Sequence, residues 1–160
     1  MRAVVQRVSD ATVAIKGNPN SVLGGATSRV VGEVGRGVVV LVGVAPDDGD
    51  DEARWLADKV ANLRIFPDDA GKMNRSLLEI DGEALIVSQF TLYGDARKGR
   101  RPSFIRAAQG PGAEATYERC IAALRALGVK CATGEFGAMM QVTLTNDGPV
   151  TILLDSDKTF

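Results

Sequence analysis

The run GVVVLVGVA, residues 37–45, constrains this chain more than any other stretch. It is uncharged, largely β-branched and too short to span a bilayer, so it reads as a central, buried strand. A buried strand needs neighbours on both edges and layers on both faces. A chain of 160 residues is long enough to supply them as one domain with a real hydrophobic core.

The flanking segments say what those neighbours are. RAVVQRV and ATVAI read as two strands divided at Ser9-Asp10. The following KGNPNSVLGGATSRVVGEVGRG is rich in Gly, Asn, Pro and Ser, and its first part, 17–29, reads as a long loop or insertion. Leu56, Val60 and Leu63 recur at helical spacing within 50–65, and Asp50, Asp51 and Glu52 suit the positive end of that helix. Residues 66–74, FPDDAGKMN, form a charged turn with too few ligands for a calcium loop. EALIVSQFTL, 83–92, is a buried strand that turns polar near its end, and a basic loop, YGDARKGRRPSF, follows it. A second helix spans 113–128, with Tyr117, Ile121 and Leu124 on one face and Gly128 as its stop. Three short strands complete the chain. The pattern predicts a mixed α/β domain of the α+β type, a largely antiparallel, barrel-like sheet with two main helices. Neither a repeat nor a linker interrupts 1–160, so one domain is expected.

Function is bounded mainly by what is missing. The chain has no histidine, which removes Ser-His-Asp triads, Cys-His dyads and His-ligated metals together. Cys120 and Cys131 show no CxxC spacing, so zinc is not expected. Cys120 falls on the apolar side of a helix and Cys131 in a strand-like segment, as structural thiols do, the alternative being a disulfide or reactive pair. A net charge of −1 argues against a protein that coats nucleic acid but leaves room for a local basic patch. The start, MRAVVQRVSDATV, lacks a signal-peptide pattern, and a cytoplasmic protein with no membrane segment is expected.

Three stretches carry candidate chemistry. In SQFT, residues Ser88, Gln89, Phe90 and Thr91 follow directly on apolar LIV. A strand leaving the core for a cleft has this pattern, and so has a strand end whose hydroxyls bond locally. A nucleophilic Ser88 or Thr91 would need a base, and Lys98 is the only local candidate. ARKGRRPSFIR gathers Arg97, Lys98, Arg100, Arg101 and Arg106, either as a solvated loop or as a phosphate-contacting patch. NDGPVT contains Asp147-Gly148, a hairpin-turn signal, followed at once by Pro149. It reads as an ordinary turn; were the Gly148-Pro149 bond cis, its carbonyls would instead project as fixed acceptors.

Together MRAVVQRV, RIFPDDAGKMN, VSQFTL, RRPSF, TGEFGAMMQV and NDGPVT resemble the D-aminoacyl-tRNA deacylase family, also called D-tyrosyl-tRNA deacylase, over nearly the whole chain. SQFT and NDGPVT in this order and spacing carry the likeness most specifically. The resemblance implies that family's fold and hydrolysis of the ester linking a D-amino acid, or glycine, to the terminal ribose of tRNA, a chiral proofreading activity in translation. It also implies a homodimer with tRNA as partner, needing no metal or other cofactor. SQFT would form the catalytic site of one subunit, with backbone N–H groups near Phe90 and Thr91 stabilising the oxyanion. Gly148 and Pro149, joined by a cis bond, would come from the other subunit as a chirality filter, and Arg7 would help to fix them. Phe136 and Met140 match positions around the terminal adenosine. Arg97, Lys98 and Arg100 are plausible contacts for phosphates near the acceptor end. The alternatives are a non-enzymatic binder of nucleic-acid ends and a different esterase or amidohydrolase on the same fold.

Overall fold

A computed structural model describes residues 1–17 and 28–159. The elements are β1 (Arg2–Ile15), β2 (Arg29–Val34), β3 (Gly37–Gly43), α1 (Asp50–Asn62), β4 (Phe66–Pro67), β5 (Met73–Arg75), β6 (Glu83–Ser88), a 3₁₀ turn (Phe90–Tyr93), α2 (Gly110–Ala126), β7 (Lys130–Thr133) and β8 (Met140–Asp155). Most of the expected 17–29 insertion lies outside the described residues, and Arg29 already belongs to β2.

β1 organises the sheet. Along one edge it pairs antiparallel with β8, from Arg2↔Asp155 to Ile15↔Met140. Its other edge is shared in succession by β3, opposite Arg2–Val8, and β2, opposite Ala11–Ile15. β3 then pairs with β6, and β6 with β7, both in parallel. Antiparallel pairs therefore predominate, with a parallel portion that holds the expected central strand. The two ends of the path approach each other: a Cβ at Gly32 of β2 would lie 2.7 Å from the Thr133 carbonyl of β7. The sheet nearly closes into a barrel, as expected.

The sheet has two buried faces. Val38, Val40 and Val42 point toward the helices and pack with Leu56, Val60, Tyr117 and Leu124. Val39 points the other way, into the rolled sheet, with Val8, Val13, Leu85 and Val87. Alternation along β3 puts apolar side chains on both sides, which explains its unbroken apolar run. Leu56 and Leu124 are fully buried, and such side chains each contribute about 1.5–3 kcal/mol.

Several boundaries differ from the sequence reading. β1 is one strand, not two: Ser9 and Asp10 are exposed at a shift in its register with β8. The bulge turns the strand over, so Ala3 and Val5 face the helices while Ala11 and Val13 face the barrel interior. The first helix stops at Asn62 rather than residue 65, with Leu63 as its cap. Its start is braced by the Glu52 carboxylate, which accepts from the Gly49 amide at 2.8 Å. The second helix begins at Gly110, not residue 113, because Pro111 fits the first helical turn, where its missing N–H is no loss. Residues 66–74 make the small β4–β5 turn, in which Asp68 accepts from the amides of Ala70 and Lys72. After α2 come two strands rather than three short ones. β8 runs unbroken for 16 residues, through the stretch read as a hairpin turn.

Candidate functional site

The end of β6 builds the first part of the site. Gln89 donates its amide to the Val42 carbonyl at 2.7 Å, extending the parallel pairing by one rung. It then leaves extended geometry, with φ −145° and ψ 79°, and the 3₁₀ turn starts at Phe90. The expected strand over 83–92 therefore stops at Ser88, and the alternation of Ser88 and Phe90 against Gln89 and Thr91 does not carry past it. A 3₁₀ helix leaves its first amides without an internal partner, and here those amides belong to the exposed Phe90 and Thr91. The Gln89 side-chain amide donates to the Thr91 hydroxyl.

Ser88, Gln89, Phe90 and Thr91 line a cleft of about 660 Å³ together with Phe136 and Met140. Val42 and Val87 supply part of its apolar wall, while Ala108, Gln109 and the start of α2 form another side. Phe136 is held by Tyr117, with ring centroids 5.8 Å apart. Tyr117 in turn donates its hydroxyl to the Ile86 carbonyl at 2.8 Å, and burial holds its phenol well above the usual range. Met140 lies over Gly134, where a Cβ would collide with the thioether. None of the residues lining the cleft has a titratable side chain. Lys98, the only nearby candidate base in the sequence, does not line it. What the cleft offers is shape, apolar surface, amide groups and hydroxyls.

Gly148 and Pro149 do not line this cleft. They lie in β8 between Asn146, paired with Val8, and Thr151, paired with Gln6. Residues 147–150 thus stand opposite the single residue Arg7, and the supposed hairpin turn is a wide bulge in an edge strand. Pro149 costs no ladder hydrogen bond at such a place. The Gly148-Pro149 bond is cis, and both residues are exposed. Arg7 holds the bulge from β1. Its Nε donates to the Asp147 carbonyl at 3.2 Å and lies 3.1 Å from the Asp147 carboxylate, while Nη1 donates to the Ile65 carbonyl at 2.5 Å. Gly148 has φ +121°, and a Cβ there would sit 2.9 Å from Arg7 Nη2, so glycine is required twice over.

Asn146, which the sequence reading passed over, braces the bulge from within. Its Oδ1 accepts from the Val150 amide at 3.2 Å, and its Nδ2 donates to Thr151 Oγ1 at 3.2 Å. The signal was an Asn just ahead of a Gly-Pro pair, since short amide side chains commonly bond the backbone a few residues on.

Arg97, Lys98 and Arg100 lie on the loop between the 3₁₀ turn and α2, all exposed. They differ in availability. Arg97 is folded onto Asp95, with Nε to Oδ1 at 2.9 Å and Nη2 to Oδ2 at 2.5 Å. These bonds hold the Asp95 carboxyl far below the usual carboxylate range. Cys120 is buried and Cys131 half-buried, both as free thiols. Among the described residues no group of three or more His, Cys, Asp or Glu could hold a metal ion, and no helix is long and apolar enough to cross a membrane.

A family model described as D-Tyr-tRNA(Tyr) deacylase matches residues 4–155. A D-aminoacyl-tRNA deacylase of Thermotoga petrophila is 54% identical over 160 residues, covering 100% of both chains. One of Roseiflexus castenholzii is 56% identical over 156 residues, covering 98% of this chain and 92% of the relative. Among solved structures, a c-Myc DNA unwinding element binding protein is 38% identical with a TM-score of 0.84, covering 98% of this chain and 99% of that one. A probable eukaryotic D-amino acid tRNA deacylase shares the fold at 21% identity, with a TM-score of 0.78 and coverage of 96% and 97%.

Proposed function

The chain belongs to the D-Tyr-tRNA(Tyr) deacylase family and is a hydrolase with D-aminoacyl-tRNA deacylase activity; from that premise we propose how its cleft performs the reaction and how it selects its substrate. The carrying observation is a cleft without titratable side chains, lined by the exposed Phe90 and Thr91 that open a 3₁₀ turn, whose first amides such a turn leaves without an internal partner. An aminoacyl ester is already activated, so an enzyme can cleave it without a strong nucleophile. Water attacks the ester carbonyl, and the Phe90 and Thr91 amides hold the oxyanion as it forms. The neighbouring 2′-hydroxyl of the substrate assists the attacking water. The bond between the carbonyl carbon and the ribose oxygen then breaks, the ribose oxygen taking up a proton as the attacking water gives one up, and free amino acid and tRNA are released. Ser88, Gln89 and Thr91 orient groups in this scheme. Phe136 and Met140 supply the apolar surface for the terminal adenosine, and Lys98 and Arg100 meet phosphates farther along the acceptor end, with Arg97 held beside them by Asp95.

The selectivity comes from a second copy of the chain. Leu153 of β8 is 57% exposed. It sits directly opposite Val4 of β1, which sits opposite Leu41 of β3, and paired residues project from the same face. This apolar strip, lying beside the outer edge of β8, suits a symmetric homodimer contact. In the dimer the partner subunit's Gly148-Pro149 bulge reaches the cleft. Its backbone carbonyls accept from the substrate's ammonium group and occupy the space an L side chain would need. Glycine has no side chain to exclude, so glycyl-tRNA is a substrate as well.

The test is hydrolysis of D-tyrosyl-, L-tyrosyl- and glycyl-tRNA by the purified protein. Rapid loss of the D and glycyl esters with the L ester spared supports the proposal. Equal loss of D and L esters would refute the filter, and a generic esterase would behave so. A competing reading, suggested by the neighbour named as a DNA unwinding element binding protein, is a binder of nucleic acid without turnover. Binding of tRNA with no ester loss would favour it.

A further inference from the structure

We propose that Phe104 is a positioning residue for the hydrolysis, holding the 3₁₀ turn that carries the oxyanion amides although it does not itself line the cleft; the inference rests on the deacylase reading of Ser88–Thr91. After the 3₁₀ turn, Gly94 donates to the Thr91 carbonyl at 2.9 Å and the chain enters the basic loop. The loop closes on itself at its neck, where Asp95 and Ser103 exchange backbone bonds of 2.8 and 2.9 Å. That closure returns the next residue, Phe104, to the turn it left. The Phe104 ring meets Phe90 edge to face, with centroids 5.2 Å apart and planes at 73°. Behind Phe104 the chain is fixed again: Ala107 donates to the Phe104 carbonyl at 3.0 Å, and Ala108 to the Val44 carbonyl at 2.8 Å.

Phe90 needs such a support, because the residue is 52% exposed where it lines the cleft. Gly94 shows how close the fit is. Its backbone takes an ordinary φ of −63°, so glycine is not there for conformational freedom. A Cβ at that position would instead lie 3.0 Å from both the Phe104 ring and the Thr91 carbonyl. Ring, glycine and turn form one packed unit, and the direction of the Phe90 and Thr91 amides depends on it. Misplacing oxyanion donors weakens transition-state binding and leaves ground-state binding of tRNA alone.

The experiment is steady-state deacylation of D-tyrosyl-tRNA by Phe104→Ala, Phe104→Tyr and Gly94→Ala, with thermal melting of each. Phe104→Ala is expected to lower kcat roughly tenfold, as loss of an edge-to-face contact and loosening of the donors would give, with KM unchanged. Phe104→Tyr keeps the ring and should restore kcat. Gly94→Ala keeps Phe104 but pushes it off the turn, and should reproduce the kcat loss if Phe104→Ala proves too unstable to assay. An unchanged kcat in Phe104→Ala, a rise confined to KM, or a Tyr variant as slow as the Ala variant would overturn the proposal. Wild-type protein inert on D-tyrosyl-tRNA would overturn the deacylase reading instead.

Discussion

Replacing Arg7 with alanine tests both the structure and the proposed filter. The Arg7 side chain is only 11% exposed, and it donates to the carbonyls of Ile65 and Asp147. Ile65 is itself buried, so its carbonyl has little access to water once the guanidinium is gone. A buried acceptor left without a partner costs about 1–3 kcal/mol. The ion pair with Asp147 adds little, because that carboxylate is 55% exposed and such pairs contribute about 0–1 kcal/mol. A total near 2 kcal/mol follows, and for a domain of this size it lowers the melting temperature by about 4–8 °C. Arg7→Lys keeps the charge but replaces the planar fork, whose Nε and Nη1 reach separate carbonyls, with a single nitrogen; it should recover part of the loss. Activity adds a second reading. With segment 147–149 unsupported, the ratio of D- to L-tyrosyl-tRNA hydrolysis should fall toward one while hydrolysis of the D ester continues. Calorimetry and ester-loss assays on the same preparations measure both. A melting curve superimposable on the wild type's would refute the energetic argument. A melting loss with intact D/L discrimination would refute the role of the bulge in selectivity.

Thr91→Ala should retain measurable deacylation, since the hydroxyl is already engaged by Gln89 and acts by orientation; complete loss of activity with normal folding and tRNA binding would contradict this. Neutralising Arg97, Lys98 and Arg100 together should weaken tRNA binding and flatten its salt dependence. Because Arg97 is committed to Asp95, the log–log slope should change by about 2 rather than 3, and an unchanged slope would remove the loop from the interface. Burial pushes the Cys120 thiol up to about 12 from 9.0, and raises the Tyr117 phenol as well. Raised folded-state values mean a contribution that is complete below the unfolded pKa and lost as pH rises toward the folded one. The unfolding free energy, and with it the melting temperature, should therefore fall above about pH 9 for Cys120 and above about pH 10 for Tyr117, by about 1.4 kcal/mol per pH unit for each group. Cys120→Ala should make the decline shallower between about pH 9 and 10, and a flat profile in the wild type would refute the assignment. On the proposed homodimer, Leu153→Arg should shift sedimentation toward monomer; a wild-type protein that sediments as a monomer would refute the dimer, and a dimer unshifted by the substitution would refute the Leu153 contact.

What the sequence made legible was local. The apolar run 37–45 announced a strand covered on both faces, and the spacing of Leu56 and Val60 or of Tyr117, Ile121 and Leu124 announced helices, because each signal repeats within a few residues. The parallel pairing of β3, β6 and β7 was not legible, since a strand's direction relative to its neighbour leaves no mark on its own composition. Ser9-Asp10 misled for a related reason. Two polar residues between apolar runs look alike whether the chain turns or bulges, and here the distinction lies in β8, more than a hundred residues away. At the site, the change from apolar to polar at Ser88 was visible. The contact between Phe90 and Phe104 was not, because it depends on the closure of the basic loop at Asp95 and Ser103.

NDGPVT shows most clearly where local reading stops. Asp-Gly followed by a second apolar run has every local mark of a hairpin, and a hairpin would pair the runs on either side with each other. Both runs instead pair with β1, Asn146 with Val8 and Thr151 with Gln6. The intervening residues must then leave the ladder as a bulge on the edge of the sheet, where the Asp147 carbonyl accepts from Arg7 instead of from a neighbouring strand. The same register decides which side chain supports them. Arg7 is the residue opposite the bulge because it lies between Gln6 and Val8; one step either way would place there an uncharged amide or a valine that belongs to the barrel core. The guanidinium that ties Asp147 to Ile65 is thus positioned by strand pairing, and any change that slips β1 against β8 should disable the bulge even with every residue of NDGPVT intact.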